Sequence, residues 1–287
     1  MLVVCTLVLT ACGSSREQKA STHRSAEQLG AAVDFLTPEL GFRATLNGAL
    51  GRTGDRGKTW HVVRKGQRLV SLRFLTVRRG FALSDRGRLL ATKDGGRSWA
   101  VLRAAVWAFA FADARDGWVA AANGLYRTTD GARTWRRLTS PCPRVAEYVG
   151  GLSFVDARRG FIVCGGQPAT IMQAKYVYAS TNGGATWRLR ACVQFVRSSH
   201  CPGRIEADGH VSGLDFRDLR VGLLVTGRGG IARTADGGMH WTDTLFTDDE
   251  DTVMSTSWAS TTTVYALLYH NAKLLRSDDA GRHWRRV

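Results

Sequence analysis

Six acids or amides recur at positions where chemistry could be done. Asp55, Asp94, Asp130, Asn182, Asp236 and Asp279 each stand two residues after a Ser or Thr and five before a Trp, namely Trp60, Trp99, Trp135, Trp187, Trp241 and Trp284. A lone carboxylate in such a setting could be a general acid, a base or a hard oxygen ligand. Six copies point elsewhere. Asp followed by Gly makes a tight turn in which the carboxylate accepts backbone N–H groups and Gly takes positive φ. A role repeated in every copy is a folding role. Ala132 departs from the Gly expected two after Asp130, and His240 and His283 replace the Ser or Thr before Trp. Those turns are expected to be similar but less tightly specified.

Other reactive residues cluster where the repeat is interrupted. Cys142, Cys164, Cys192 and Cys201 all fall between the third and fifth boxes. In an oxidising compartment an even set reads as two disulfides. Three pairings are open, of which Cys192 with Cys201 and Cys142 with Cys164 are favoured, since the first closes a short loop. A four-thiolate zinc site is the alternative, but no C-x-x-C pair supports it. His200 beside Cys201 reads as a solvated loop residue. Asp248, Asp249, Glu250 and Asp251 could hold Ca2+ through oxygens, yet a solvated counterweight to the arginines is preferred. No metal or other cofactor is expected.

The chain of 287 residues carries 40 Lys and Arg against 24 Asp and Glu, a formal charge of +16. Such a field attracts anionic surfaces or acidic partners. Arginine supplies nearly all of it, which fits coding bias at least as well as a built face. No Lys/Arg block resembles a nucleic-acid-reading motif, and nucleic acid is not an expected partner.

Residues 2–11 are apolar and too few to span a bilayer as a helix, which needs about 20. They suit the h-region of an export signal. Leu9-Thr10-Ala11-Cys12 resembles the lipobox of bacterial lipoprotein signal peptides, which implies lipidation at Cys12; ordinary secretion is the alternative. The basic n-region of such signals is missing. The expected organisation is a signal over 1–11, a flexible tether over 12–28 beginning at lipidated Cys12, and one repeat domain over 29–287. The protein would then sit outside the cytoplasm, held to the cell membrane by lipid.

Between the boxes a second register appears. Phe35, Phe74, Phe111, Phe154, Phe216 and Trp258 are each followed six residues later by a turn position and a hydrophobic one, such as Gly80-Phe81. Each unit then reads as four short strands separated by turns, the unit of a β-propeller blade. The fold class expected is all-β: a six-bladed β-propeller of four-stranded antiparallel blades, about 29–64, 65–104, 105–140, 141–192, 205–246 and 252–287. The ring is expected to close by packing of the first blade on the sixth, with no borrowed strand.

The boxes, for example Thr92-Lys93-Asp94-Gly95-Gly96-Arg97-Ser98-Trp99, resemble the Asp-box (BNR) repeat of sialidases and sortilin-type receptors. The fuller unit, with Phe154-Val155-Asp156-Ala157-Arg158-Arg159-Gly160-Phe161 leading into the fourth box, is similar to the photosystem II stability and assembly factor family and its non-photosynthetic bacterial relatives. That family is usually seven-bladed. The resemblance is specific for fold and implies little about function, because unlike functions share such folds. A monomer is the expected state.

Loop length collects around the fourth unit, and loops on a rigid scaffold carry binding. The expectation is therefore a scaffold that binds a protein or an anionic envelope component through the blade-four loop face, with a role in assembling or stabilising a membrane complex. The alternative is a sialidase-like exo-glycosidase. For that, Phe42-Arg43-Ala44 is the nearest match to an F/Y-R-I-P motif and Glu147-Tyr148 to a nucleophile pair, but a glycosidase needs an assembled pair of catalytic groups, and no catalytic residue is assigned.

Overall fold

The computed structural model describes residues 30–143, 146, 148–167, 173–193, 201–205, 209–227, 230–246 and 251–287. The expected signal, the tether and Cys12 lie outside the described residues. So do Glu147, His200, Asp248, Asp249 and Glu250.

Every unit begins with a strand whose apolar residues recur at the spacing of a packed surface. In Leu69–Phe74, Leu69, Leu72 and Phe74 are buried while Val70 and Arg73 are exposed. The strand after it, Gly80–Ser84, is buried throughout because sheets cover both of its faces. Outer strands such as His61–Arg64 are mostly exposed and carry charge, which discourages pairing at a sheet edge. Successive strands pair antiparallel in chain order, as in Gly30–Phe35, Gly41–Thr45, Leu50–Thr53 and His61–Arg64.

Among the described residues the strands form four four-stranded sheets and one nine-stranded sheet. The larger sheet joins the fourth and fifth units through a short strand, Arg204–Ile205. It pairs in parallel with the outer strands Arg188–Cys192 and His240–Leu245. Ile205 is buried with Trp241 in one apolar cluster. Part of the insertion after the fourth box is therefore structural.

The first strands of the six units are Gly30–Phe35, Leu69–Phe74, Val106–Phe111, Tyr148–Phe154, His210–Phe216 and Val253–Trp258. All six contribute to the wall of one axial cavity, so the sheets stand around a common axis in a nearly closed, propeller-like ring. Neighbouring units are joined by stacked rings. Phe42 lies on Phe74 at 3.6 Å, Phe81 on Phe111 at 3.5 Å, Trp118 on Phe154 at 3.5 Å and Phe161 on Phe216 at 3.5 Å. Tyr265 of the last unit lies on Phe35 of the first at 3.7 Å, and its hydroxyl donates to the Pro38 carbonyl at 2.6 Å. The recurring Gly exists for this packing: a Cβ at Gly80 would come within 2.7 Å of the Phe74 ring.

Each box is a hydrogen-bonded knot. Thr92 Oγ1 donates to Asp94 Oδ1 at 2.8 Å and accepts from Gly96 N at 2.8 Å, while Asp94 accepts from Ser98 N and Ser98 Oγ at 2.9 and 2.6 Å. The two residues after the acid both take positive φ, even where they are Arg56, Ala132 and Ala280. At His240 and His283 the imidazole Nδ1 meets Asp236 and Asp279 at 2.7 and 2.6 Å. Contrary to expectation, these turns are as fully bonded as the others, because Nδ1 sits where the hydroxyl oxygen sits elsewhere. Every box also donates an N–H to the turn between the first and second strands, as Gly95 N does to Arg78 O at 2.8 Å. Both sets of turns thus share one face of the ring.

Candidate functional site

Two features stand apart from this repetition. The first is at the seam between the second and third units. In the third and fifth units an arginine directly before the box crosses to the next unit. Arg127 Nη2 donates to the Ala157 carbonyl at 2.9 Å, and Arg233 Nε to the Ala280 carbonyl at 2.7 Å. In the fourth unit Arg190 does this from the outer strand, reaching the Gly237 carbonyl at 2.9 Å. The second unit has Ala91 at that position.

The seam is left open as a groove of about 880 Å3. Leu75, Phe81, Ala91 and Leu102 give it an apolar floor, and Arg79, Lys93, Arg115 and Arg133 line it with positive charge. All four cations are exposed, and among the described residues no ion pair engages them. The one acid in the lining, Asp130, already accepts from Thr128, Thr134 and two backbone N–H groups. Those bonds hold it well below the usual carboxylate range, the Thr134 hydroxyl contributing most. The groove can therefore take an anionic group beside apolar side chains.

The second feature is the axial cavity, about 620 Å3 in volume. The residue directly before each aromatic marker forms a ring around the axis: Asp34, Arg73, Ala110, Ser153, Asp215 and Ser257. Three of these fasten seams. Ser257 Oγ accepts from Phe35 N at 2.8 Å, Ser153 Oγ from Phe216 N at 2.8 Å, and Asp34 Oδ2 from Phe74 N. Burial pushes the Asp34 carboxyl up to about 6, against the pull of Arg73 Nη1 at 4.0 Å and of its hydrogen bonds. Asp215 rises further, to about 7, through desolvation and the nearby Asp34, with Arg73 opposing.

No protein-family profile and no curated protein matches the chain. Solved structures do match. A structure of YCF48 bound to D1 peptide is 17% identical, covering 91% of this chain and 81% of that one, with a TM-score of 0.54. An ancestral GH74 enzyme is 13% identical over 90% of this chain, and the GH74 xyloglucanase from Xanthomonas campestris 16% identical over 90%, both with TM-scores of 0.57. The chain spans 40% and 47% of those two enzymes. The fold is a β-propeller.

Within the propeller the residues singled out from sequence are dispersed. Cys142 is joined to Cys164 and Cys192 to Cys201, with Cα separations of 5.5 and 5.7 Å. Arg43 lies over the Trp60 ring at 4.5 Å, outside the axial cavity, while Phe42 is spent in a seam stack. Tyr148 donates to the Val211 carbonyl at 3.3 Å and accepts from Gln173 Nε2 at 2.7 Å. Asp251 is bonded to Lys273 Nζ at 2.7 Å. Among the described residues no group of three or more His, Cys, Asp or Glu gathers around a common point, and no helix is long and apolar enough to cross a membrane.

Sequence reasoning missed Asp34, Arg73, Asp215 and Ala91. The available signal was a comparison of equivalent positions across the six units, directly before the marker and directly before the box, rather than of the shared motif itself.

Proposed function

We propose that this protein is a non-enzymatic scaffold, a six-bladed propeller with Asp-box turns, that binds an acidic segment of a protein partner in the groove between its second and third units. The observation that carries the reading is the groove itself: an apolar floor ringed by four exposed cations, at a seam where Ala91 stands in place of the bridging arginine of the third and fifth units. Charge complementarity of this kind selects partners and speeds encounter. A structure of YCF48 with a bound D1 peptide shares the fold, which supports peptide binding; the sequence resemblance to assembly factors extends this to a role in assembling a membrane complex. The two disulfides support a place outside the cytoplasm. Lipidation at Cys12 would hold the scaffold to the cell membrane. The loops of the fourth unit would add contacts to an anionic envelope component.

A fluorescein-labelled peptide alternating Leu with Asp tests this by anisotropy. Wild type should bind it, and Arg115→Glu with Arg133→Glu should weaken binding about tenfold or more, with a loss of affinity on adding salt. Equal affinity for a peptide alternating Leu with Lys would sink the reading. The fold likeness to GH74 enzymes supports a glycosidase as the second reading. Turnover of xyloglucan, or of a fluorogenic sialoside or aryl-glycoside, would replace the first reading with that one.

A further inference from the structure

Asp34, Ser153 and Ser257 fasten seams through their side chains, and of the side chains in this ring that could accept such a bond Asp215 alone does not. Asp215 occupies the same place in the fifth unit, yet the seam to the sixth is made by Trp258 Nε1, which donates to the Asp215 backbone carbonyl at 3.1 Å. The carboxylate is not needed for that bond. It accepts one bond, from Thr256 Oγ1 at 3.3 Å, and otherwise faces the axial cavity. A serine at this place serves the fold in two other units.

Two carboxylates compete for one guanidinium in the cavity wall. Asp34, Asp215, Arg73 and Arg217 are its ionisable members. Arg217 is held by Asp218, with Nε at 2.7 Å from the carboxylate, and by the Thr261 carbonyl. Arg73 lies against Asp34. Arg73 also acts on Asp215, so two carboxylates share one guanidinium on the axis of a protein of formal charge +16. A half-buried carboxylate that shares its counter-charge is costly, and a cation that enters relieves the cost.

A divalent metal is a poor candidate. Calcium and magnesium require six or more oxygen ligands and would face the repulsion of Arg73. An organic cation fits better, because the cavity also has an apolar part. Trp107 lines it with 46% of its surface exposed, Val70 with 38%, and Met254, half-buried, belongs to the same wall. An indole face attracts cations, and thioether and ring together take up an alkyl chain. The volume of about 620 Å3 falls within the range of small-ligand sites.

We propose that the axial cavity is a binding site for an organic monocation, an alkylammonium or alkylguanidinium group, with Asp215 as its counter-charge. It is independent of the peptide groove and of the partner assigned to it. Titration calorimetry of the whole folded chain at pH 8 tests it with N-acetyl-arginine amide and N-acetyl-lysine amide. N-acetyl-citrulline amide serves as the uncharged isostere. The cationic probes should bind at least about tenfold more tightly than the citrulline probe, because a charge-assisted hydrogen bond to the carboxylate is stronger than a neutral one. Asp215→Asn should remove that margin while melting at or above the wild-type temperature. Asp215→Ser, which copies the residue of two other units, should do the same. Absence of binding by the cationic probes, equal binding of the citrulline probe, or an undiminished margin in both variants would overturn the proposal.

Discussion

The carboxylates of this chain divide into two groups with opposite effects on stability. Box acids such as Asp55 and Asp94 are held below their ordinary range, first by the hydroxyls of Thr59 and Ser98 and then by backbone N–H groups. Their contribution is present above about pH 4 and is lost as pH falls through their depressed values. Asp34 and Asp215 are raised by desolvation to about 6 and about 7. The folded state holds those protons more tightly than the unfolded chain, so that contribution is full below about pH 4 and is lost as pH rises through 6 and then 7. Melting temperature should therefore peak in mildly acid solution and fall toward pH 8. Asp215→Asn should flatten the descending limb and leave the acid limb unchanged. A variant curve parallel to wild type from pH 5 to 8 would refute this assignment.

At the scale of strands and turns, the box is what the sequence made plainest. Six copies of Ser/Thr, acid or amide, and Trp locate the third-to-fourth-strand turns, and the aromatic markers locate the seams. Gly96 shows how tight these turns are: φ is +90° and a Cβ would collide with Leu50 of the preceding unit. Gly96→Ala should cost about 2 kcal/mol or more in urea unfolding, from backbone strain together with overpacking. A cost below about 0.5 kcal/mol would show that the turn relaxes freely. What the sequence hid has a physical reason. Asp34, Arg73 and Asp215 each lie on a strand whose pattern is set by burial, so the facing residue carries no motif of its own. Ala91 is informative only through the guanidinium it lacks, which is visible once Arg127 and Arg233 are seen crossing their seams. The strand Arg204–Ile205 has no periodicity to announce it, being two residues long.

Across the whole molecule, closure depends on the seam between the last and first units. Val33 N and Phe35 N donate to Ser255 and Ser257 at 2.9 and 2.8 Å, and Phe35, Tyr265, Leu267 and Leu274 share one apolar cluster. Tyr265→Ala should cost about 3 to 5 kcal/mol, the range for removing a large buried aromatic side chain. A loss under about 1 kcal/mol would mean that the ring does not rely on this seam. A nearly closed ring with a groove at the seam between its second and third units is the basis of the proposed binding role. Ala91→Arg tests it most directly, because it supplies the side chain that fills the equivalent position of the third and fifth units. The account predicts that this variant melts no lower than wild type but binds the Leu-Asp peptide at least about tenfold more weakly. Unchanged peptide affinity in a folded Ala91→Arg protein would contradict it.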